Sequence, residues 1–291
     1  MTAERWGGLG EERRSLPPSQ NMLFTRRRLF VVAGGAVGLA LVRGRLHDGP
    51  AQAAGSHAPP PHAVPPIIRL PVLTENGAKV PIVVEVDHPM DVDHHVTTIT
   101  VVNERDPIAG KGEFSFSPAN GQAYVAFQAR LDDGPSTVQA AVECSRGARW
   151  TGTAPTRVVD GAGGCGGPVP KPERAATQIR PPVIRLPQVV RDEPIAPGQL
   201  LDVQVKIQHP VRTGLERRDG AWVQAAEPFY LTEMDVFLDG ERVSHFALTP
   251  AVSDNPFITF RLKPRRAGLL RVAFRNNRGA RLDAEHPIRF A

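Results

Sequence analysis

The sequence contains an internal repeat that spans most of the chain, and this repeat restricts the possible folds. Residues 65–71 (PPIIRLP) recur as residues 181–187 (PPVIRLP), 116 positions later. Each copy leads into a run rich in β-branched residues that ends in His-Pro, at His88 in the first half and at His209 in the second, 121 positions apart. Because both motifs recur after nearly the same number of residues, the sequence predicts two related halves with the same fold.

Both halves have the sequence pattern of β-strands. Short runs rich in Val, Ile, Thr and Phe alternate with turn residues, and no segment keeps a helical period. Asp239-Gly240, between two such runs, predicts a tight hairpin turn. The predicted strands are 80–86, 97–102, 113–117, 123–131 and 138–144, then 201–207, 230–238, 243–248, 257–262, 269–274 and 287–290. We therefore predict an all-β protein of two immunoglobulin-like β-sandwich domains, joined by a flexible Gly/Pro-rich linker.

A segment rich in glycine and proline separates the two halves. Residues 163–167 read Gly-Gly-Cys-Gly-Gly, and five prolines follow by residue 182. Glycine makes a linker flexible and proline makes it semi-extended. The predicted division is a disordered N-terminal segment at 54–64, a first sandwich at 65–160, an arm and linker at 161–180, and a second sandwich at 181–291.

Cys165 is one of only two cysteines in 291 residues, and the glycines that frame it are Gly163, Gly164, Gly166 and Gly167. These glycines offer no side chain to pack over the thiol, and they leave the backbone free to turn. A structural cysteine is usually buried in a regular element. We therefore expect Cys165 to be exposed on a flexible arm, buried only by another protein, and to act as a covalent carrier group. Because no Lys, Arg or His is adjacent, we expect an ordinary thiol pKa.

The N-terminus has the features of an export signal. Residues 25–30 read Thr-Arg-Arg-Arg-Leu-Phe and precede an apolar run at 31–42 and a small-residue cleavage site at 51–53. The apolar run is shorter than the ~20 residues that a membrane-spanning helix needs, although an uncleaved anchor is an alternative. We predict a twin-arginine signal peptide at 1–53 and a periplasmic mature chain that does not contact the membrane.

Most of the positive charge belongs to this predicted signal. Residues 1–53 hold 8 of the 35 Lys and Arg and 4 of the 30 Asp and Glu, so the remainder has a net charge of +1 instead of +5. No basic stripe with interleaved aromatic residues remains. A nucleic-acid partner is therefore not expected.

Five residues with metal-ligand side chains lie close together in sequence: His88, Asp91, Asp93, His94 and His95. The equivalent position of His209 in the repeat favours a structural role for both His-Pro pairs, and we expect no metal. Cys144 ends an apolar run, so we expect a buried or edge thiol; a disulfide with Cys165 is the alternative in an oxidising compartment. The chain shows no catalytic triad, phosphate loop or paired-cysteine metal spacing. We therefore expect no cofactor and no active site of its own.

Short motifs in both halves resemble known families. In the first half they are ENGA at 75–78, VPI at 80–82, HPM at 88–90, DHHV at 93–96 and GGCGG at 163–167. In the second they are HPVRTG at 209–214, PAVSDNPF at 250–257 and NNRG at 276–279. The first half resembles SoxY, the sulfur-carrier subunit of the bacterial thiosulfate-oxidising system, and the second resembles its partner SoxZ. The resemblance covers residues 65–167 and 180–291.

The resemblance implies that Cys165 holds sulfur-oxidation intermediates and presents them to periplasmic enzymes. These partners would be a haem-containing sulfur transferase, a sulfate-releasing hydrolase and a sulfur dehydrogenase, and the two domains would pair internally. In two-chain relatives the arm is a free C-terminus, whereas here the chain continues through Pro168, so the arm would enter a partner as a hairpin. One alternative is a SoxYZ-like carrier associated with a quinoprotein alcohol dehydrogenase system, with unknown cargo. Another is a binding or structural module of two β-sandwiches without carrier chemistry.

Overall fold

The computed structural model describes residues 64–161, 163–166 and 179–291, and most of these residues lie in β-strands. The predicted signal peptide at 1–53, Gly167 and most of the predicted linker lie outside the described residues. The first half contains β1 (Ile67–Arg69), β2 (Leu73–Thr74), β3 (Val80–Val86), β4 (Val96–Val102), β5 (Gly110–Phe116), β6 (Ala123–Ala129), β7 (Gly134–Cys144) and β8 (Arg149–Val158).

The second half contains β9 (Arg180–Arg185), β10 (Leu201–Gln208), β11 (Leu215–Arg218), β12 (Ala221–Gln224), β13 (Leu231–Leu238), β14 (Glu241–Leu248), β15 (Phe257–Leu262), β16 (Gly268–Asn276) and β17 (Arg281–Ile288). The short helical elements are 3-10 turns at Gly77–Lys79 and Pro118–Asn120 and the helix α1 (Pro187–Val190). Within the described residues, no helix is both long enough and apolar enough to cross a membrane. Pro181 and Pro182, at the start of the predicted second sandwich, belong to β9.

Two large sheets run through both halves of the chain. One has the strand order β1-β3-β6-β15-β10-β9, and the other has the order β17-β16-β13-β14-β5-β4-β7-β8-β2. The halves meet at a junction formed by the antiparallel pairs β6–β15 and β5–β14. The buried residues of both sheets and both halves form one hydrophobic cluster. The predicted all-β class is confirmed, and the halves join edge to edge through both sheets.

Apart from β2, the strand order is palindromic about the junction, so the sequence repeat is also a structural repeat. In one sheet β1, β3 and β6 correspond to β9, β10 and β15. In the other, β4, β5 and β7 correspond to β13, β14 and β16. The first heptapeptide contains the edge strand β1, and the second contains all of the edge strand β9 except Arg180, as the repeat requires.

The local sequence explains why the individual strands form. In β3 the side chains of Val80, Ile82, Val84 and Val86 are fully buried, while the residues between them point away from the core. This alternation is the period of two that a strand imposes on its side chains. The predicted Asp239-Gly240 hairpin is confirmed between β13 and β14: both residues have positive φ, 51° and 85°, as a type I′ turn requires.

Aromatic side chains from both halves pack together at the junction. The Phe246 ring of the second half lies 5.2 Å from the Phe114 ring of the first half and 5.7 Å from the Phe260 ring. Polar contacts also cross the junction, since Asn120 Nδ2 donates to Ser244 Oγ at 2.9 Å. Truncating a buried Phe typically costs about 3–5 kcal/mol, so this cluster couples the stability of one half to that of the other.

Candidate functional site

Cys165 is buried in the structure, with 1% of its surface exposed. It belongs to residues 163–166, called here the glycine segment, which lie between the two halves rather than projecting from them. Our expectation of an exposed thiol that only another protein could bury is therefore wrong. The two halves of the same chain bury it.

Each half binds the backbone of the glycine segment. The Gly164 amide donates to the carbonyl oxygen of Leu131 at 2.9 Å, and the Gly164 carbonyl accepts from Arg130 Nη1 at 3.0 Å. The Cys165 carbonyl accepts from the Thr213 hydroxyl at 2.7 Å. The first half thus holds Gly164, and the second half holds Cys165.

Arg130 connects the glycine segment to both halves. Its side chain is almost fully buried, and Nη2 donates to the carbonyl oxygen of Val211 at 3.0 Å and pairs with Asp254 at 3.0 Å. Hydrogen bonds that involve a charged group contribute more than neutral ones, about 1.5–3 kcal/mol each. One guanidinium group therefore stabilises both the docked segment and the contact between the halves.

Glycine is required at three positions because the protein body approaches the segment so closely. A Cβ at Gly163 would overlap Asp133 Oδ1 and lie 2.9 Å from the Asp133 backbone nitrogen. A Cβ at Gly164 would overlap the backbone of Ala78 and Gly77, and a Cβ at Gly166 would lie 2.7 Å from Trp222 Cζ3. Real Cβ atoms essentially never approach that closely. The glycine frame therefore permits close docking, in addition to any conformational freedom that it gives the chain.

The strands β11 and β12 form a separate two-stranded ribbon beside the glycine segment. Trp222 on this ribbon donates from Nε1 to Asp132 Oδ2 at 3.0 Å, and Arg217 pairs with Asp133 at 3.6 Å. A cleft of about 460 Å³ alongside is lined by Asp132, Asp133, Gly161, Gly163, Gly166, Glu216, Arg217 and Trp222. The ribbon of the second half thus closes over the segment onto a loop of the first half.

The buried position changes the chemistry of the thiol. Burial, together with the nearby carboxylates of Asp106 and Asp132, raises the pKa of Cys165 from 9.0 to about 12, while Lys111 and Arg130 oppose the rise. Asp106 and Lys111 form a fully buried ion pair at 2.5 Å. Our expectation of an ordinary thiol pKa is therefore wrong. Because the thiolate is the reactive form, the docked cysteine is chemically protected at neutral pH.

A second cluster lies at the far end of β7. His88, His94 and Cys144 each place one metal-ligand atom within 4.8 Å of the others. The His88 ring stacks on Trp150 at 5.6 Å, and its Nδ1 lies 2.7 Å from the carbonyl oxygen of Pro89. Sequence analysis placed the two histidines together but did not connect them with Cys144.

The remaining candidates fall outside this cluster. Asp91 and Asp93 are exposed, and His95 contacts the backbone carbonyl of Asp91 at 3.1 Å. Cys144 is 2% exposed at the end of β7, which confirms the predicted buried thiol. Both Cys144 and Cys165 are free thiols in the structure.

Sequence reasoning missed Arg130, Thr213 and Trp222, which hold the glycine segment. They contact it across 34 or more positions of sequence, so no local pattern marks them. Trp222 gave one weak signal, as a large aromatic residue in a polar stretch. Thr213 lies in the HPVRTG motif, which the resemblance to SoxZ had marked without assigning it a role.

The fold and the site define a class of protein: two related β-structured halves that hold a single glycine-framed thiol between them. The family model of the sulfur oxidation protein SoxY matches residues 54–165, and that of the sulphur oxidation protein SoxZ matches residues 190–287. The chain belongs to these families, with a SoxY part followed by a SoxZ part in one polypeptide. Both are families of carrier proteins rather than enzymes, and they support a carrier role in sulfur oxidation.

Other comparisons add little. A comparison with curated proteins finds no match. The crystal structure of dimeric latent PorU from Porphyromonas gingivalis is similar with a TM-score of 0.30 and 13% identity, over 83% of this chain and 21% of that chain. The chain thus spans about a fifth of the PorU chain. A similarity at this level supports no conclusion about fold or function.

Proposed function

We propose that Cys165 is the covalent carrier site for sulfur-oxidation intermediates and that the docked glycine segment is its resting state. The main supporting observation is that both halves bind the backbone of the segment, at Gly164 and at Cys165. These hydrogen bonds do not depend on the group attached to Sγ. The backbone contacts therefore hold the segment in place without using the sulfur atom that would carry the cargo.

Loading requires the segment to leave its docked position, because a buried thiol with a pKa of about 12 is a poor nucleophile. With thiosulfate, the outer sulfur would form one S–S bond to Sγ of Cys165. The thiol proton would pass to water, and the two electrons released would pass to a haem-containing transferase. Hydrolysis of the resulting adduct would consume one water, break the bond to the sulfonate group, and leave a persulfide on Cys165 together with sulfate.

The partners in this proposal are periplasmic sulfur-oxidising enzymes: the transferase, a sulfate-releasing hydrolase and a sulfur dehydrogenase. The chain would reach them through the twin-arginine signal at residues 1–53, and its two domains would stay paired throughout. Because the chain continues beyond Cys165 into the second half, the segment would enter each partner as a hairpin. The family matches do not favour the dehydrogenase-associated alternative.

Intact-mass spectrometry of the full chain tests the proposal directly. After incubation with thiosulfate and an extract that contains the sulfur-oxidising enzymes, the wild-type chain should gain sulfur-containing mass. The adducts should be lost in Cys165→Ser and retained in Cys144→Ser, since both variants keep their volume and only one removes the proposed carrier. Adducts that follow Cys144, or that persist in Cys165→Ser, would contradict the assignment.

A further inference from the structure

The cluster of His88, His94 and Cys144 lies far from the carrier thiol and has no part in the proposed carrier function. The eleven-residue strand β7 begins directly after Asp133, beside the glycine segment, and ends at Cys144. At ~3.3 Å per residue, the two ends of this strand are roughly 30 Å apart. The cluster is therefore a separate feature of the first half.

The internal repeat provides a direct comparison for this cluster. Val96 of β4 pairs with Cys144 of β7, and Leu231 of β13 pairs with Asn276 of β16 in the same register. Cys144 and Asn276 also begin equivalent turns: the Cys144 amide donates to Ala148 O at 3.0 Å, and the Asn276 amide donates to Ala280 O at 3.0 Å. Asn276 therefore occupies the position of Cys144.

The same alignment assigns the other two positions. His209 corresponds to His88 through the repeated His-Pro motif. Phe229 corresponds to His94, because Phe229 lies two residues before β13 and His94 lies two residues before the equivalent strand β4. The three positions thus hold His, His and Cys in the first half, and His, Phe and Asn in the second.

In the second half these residues form a structural cluster. Asn276 Nδ2 lies 3.2 Å from His209 Nε2, and the His209 ring lies 4.7 Å from the Phe229 ring. Burial lowers the pKa of His209 to about 4, so its imidazole is neutral. An amide and an aromatic ring are therefore sufficient to build this corner of the fold. The first half instead has an imidazole and a thiol at the same two places.

We propose that His88, His94 and Cys144 bind one late transition-metal ion of the zinc and copper(I) class. Imidazole and thiolate are the ligands that these ions prefer. His88 donates its Nδ1–H to the carbonyl oxygen of Pro89 at 2.7 Å, so the lone pair of the ring lies on Nε2. A hydrogen bond of this type typically orients a histidine that binds a metal.

The geometry requires little adjustment. Ligands that surround a tetrahedral ion at about 2.0–2.3 Å lie roughly 3.5 Å apart, and the three ligand atoms already lie within 4.8 Å of one another. Side-chain rotations on the order of 1 Å would close the site. Three protein ligands leave the fourth position of a tetrahedral ion open to water or another ligand.

Metal titrations of the metal-free full chain test this proposal. Zn²⁺ and Cu⁺ are titrated separately to distinguish the two ions, and Co²⁺ replaces Zn²⁺ as a spectroscopic probe. We expect one equivalent to bind, one proton to be released from the Cys144 thiol per ion, and a thiolate-to-cobalt charge-transfer band to appear. Cys144→Ser should weaken metal binding more than the roughly 10–100-fold that is typical when only a hydrogen-bond partner of a metal ligand is removed.

The repeat supplies the matched control. The double variant His94→Phe with Cys144→Asn installs the residues of the second half, and it should retain its melting temperature while losing the metal. Cys165→Ser should bind the ion as the wild type does. Any one of three results would overturn the proposal: the wild type shows no saturable metal binding, the double variant still binds the metal, or Cys165→Ser loses it.

Discussion

Arg130 is the residue on which the docked state of the thiol depends most directly, because one side chain binds the glycine segment and the second half together. We predict that Arg130→Ala will weaken docking by about 1.5–3 kcal/mol, the usual contribution of a hydrogen bond to a charged group. Alkylation of Cys165 should then accelerate roughly 10–100-fold. The rate is measured by mass spectrometry in a Cys144→Ser background, so that only one thiol reacts.

The control for this experiment is Arg146→Ala. Arg146 pairs with Asp93 at 3.4 Å, and both side chains are largely exposed, so its removal should leave the alkylation rate unchanged. An Arg130→Ala protein that remains folded and reacts at the wild-type rate would show that Arg130 does not control access to the thiol.

The raised pKa of Cys165 gives a second prediction at this scale. The thiol has a pKa of 9.0 when free and about 12 when docked, so the docked state binds the proton more tightly. Docking is at full strength below pH 9, and between pH 9 and about 12 it should weaken up to tenfold per pH unit. Alkylation of Cys165 should therefore keep accelerating between pH 9 and about 12, whereas the alkylation rate of a free thiol with a pKa of 9.0 would level off soon above pH 9. A rate that levels off near pH 9 would contradict the coupling between docking and ionisation.

At the residue scale, the sequence singled out Cys165 as the candidate carrier thiol but predicted the wrong environment for it. The reasoning used the neighbours of Cys165 in sequence, and glycines cannot bury a side chain. Burial comes instead from residues that are distant in sequence, such as Thr213 and Trp222. The pairing of Cys144 with the two histidines was missed for the same reason, since strand register rather than spacing brings these residues together.

At the scale of elements, the glycine segment and the β11–β12 ribbon form one closed unit. We predict that Gly164→Val will prevent docking, because its Cβ would overlap the backbone of Ala78 and Gly77. The melting temperature should fall and the alkylation of Cys165 should accelerate. Gly110→Ala is the control, since a Cβ there meets its nearest neighbour, Thr249, at 3.8 Å. A Gly164→Val protein with wild-type melting temperature and reactivity would show that the docked state is not populated.

Strand prediction succeeded where hydrophobic alternation was strong and failed where it was weak. The bounds of β3 and β15 match the predicted 80–86 and 257–262. The strand β8 was missed because it contains Gly152 and Pro155, which usually argue against a strand interior. Its partner on the outer side is only the two-residue β2, so a proline near this edge is tolerated. The ribbon strands β11 and β12 were missed because they are short and mostly polar.

At the scale of the whole molecule, the sequence predicted the repeat but not the way in which the halves join. Repetition shows that two segments have the same fold, and it contains no information on which edges meet. The structure joins them through β5–β14 and β6–β15 and places Phe114 against Phe246. Because the halves share one core, the release of the glycine segment that we propose would not require the domains to separate.

This arrangement leads to the last prediction, which concerns a chain cut between the halves. A site-specific protease sequence inserted between Lys171 and Ala176 allows the chain to be cut once, without touching β8 or β9. The two fragments should elute together from a sizing column under native conditions, because the shared sheets and the buried Phe246 cluster hold them without the linker. Adding Phe246→Ala to the cut chain should weaken the association by about 3–5 kcal/mol and cause the fragments to separate on dilution. Fragments that separate immediately after cutting, with Phe246 intact, would mean that the covalent connection rather than the shared core keeps the halves together.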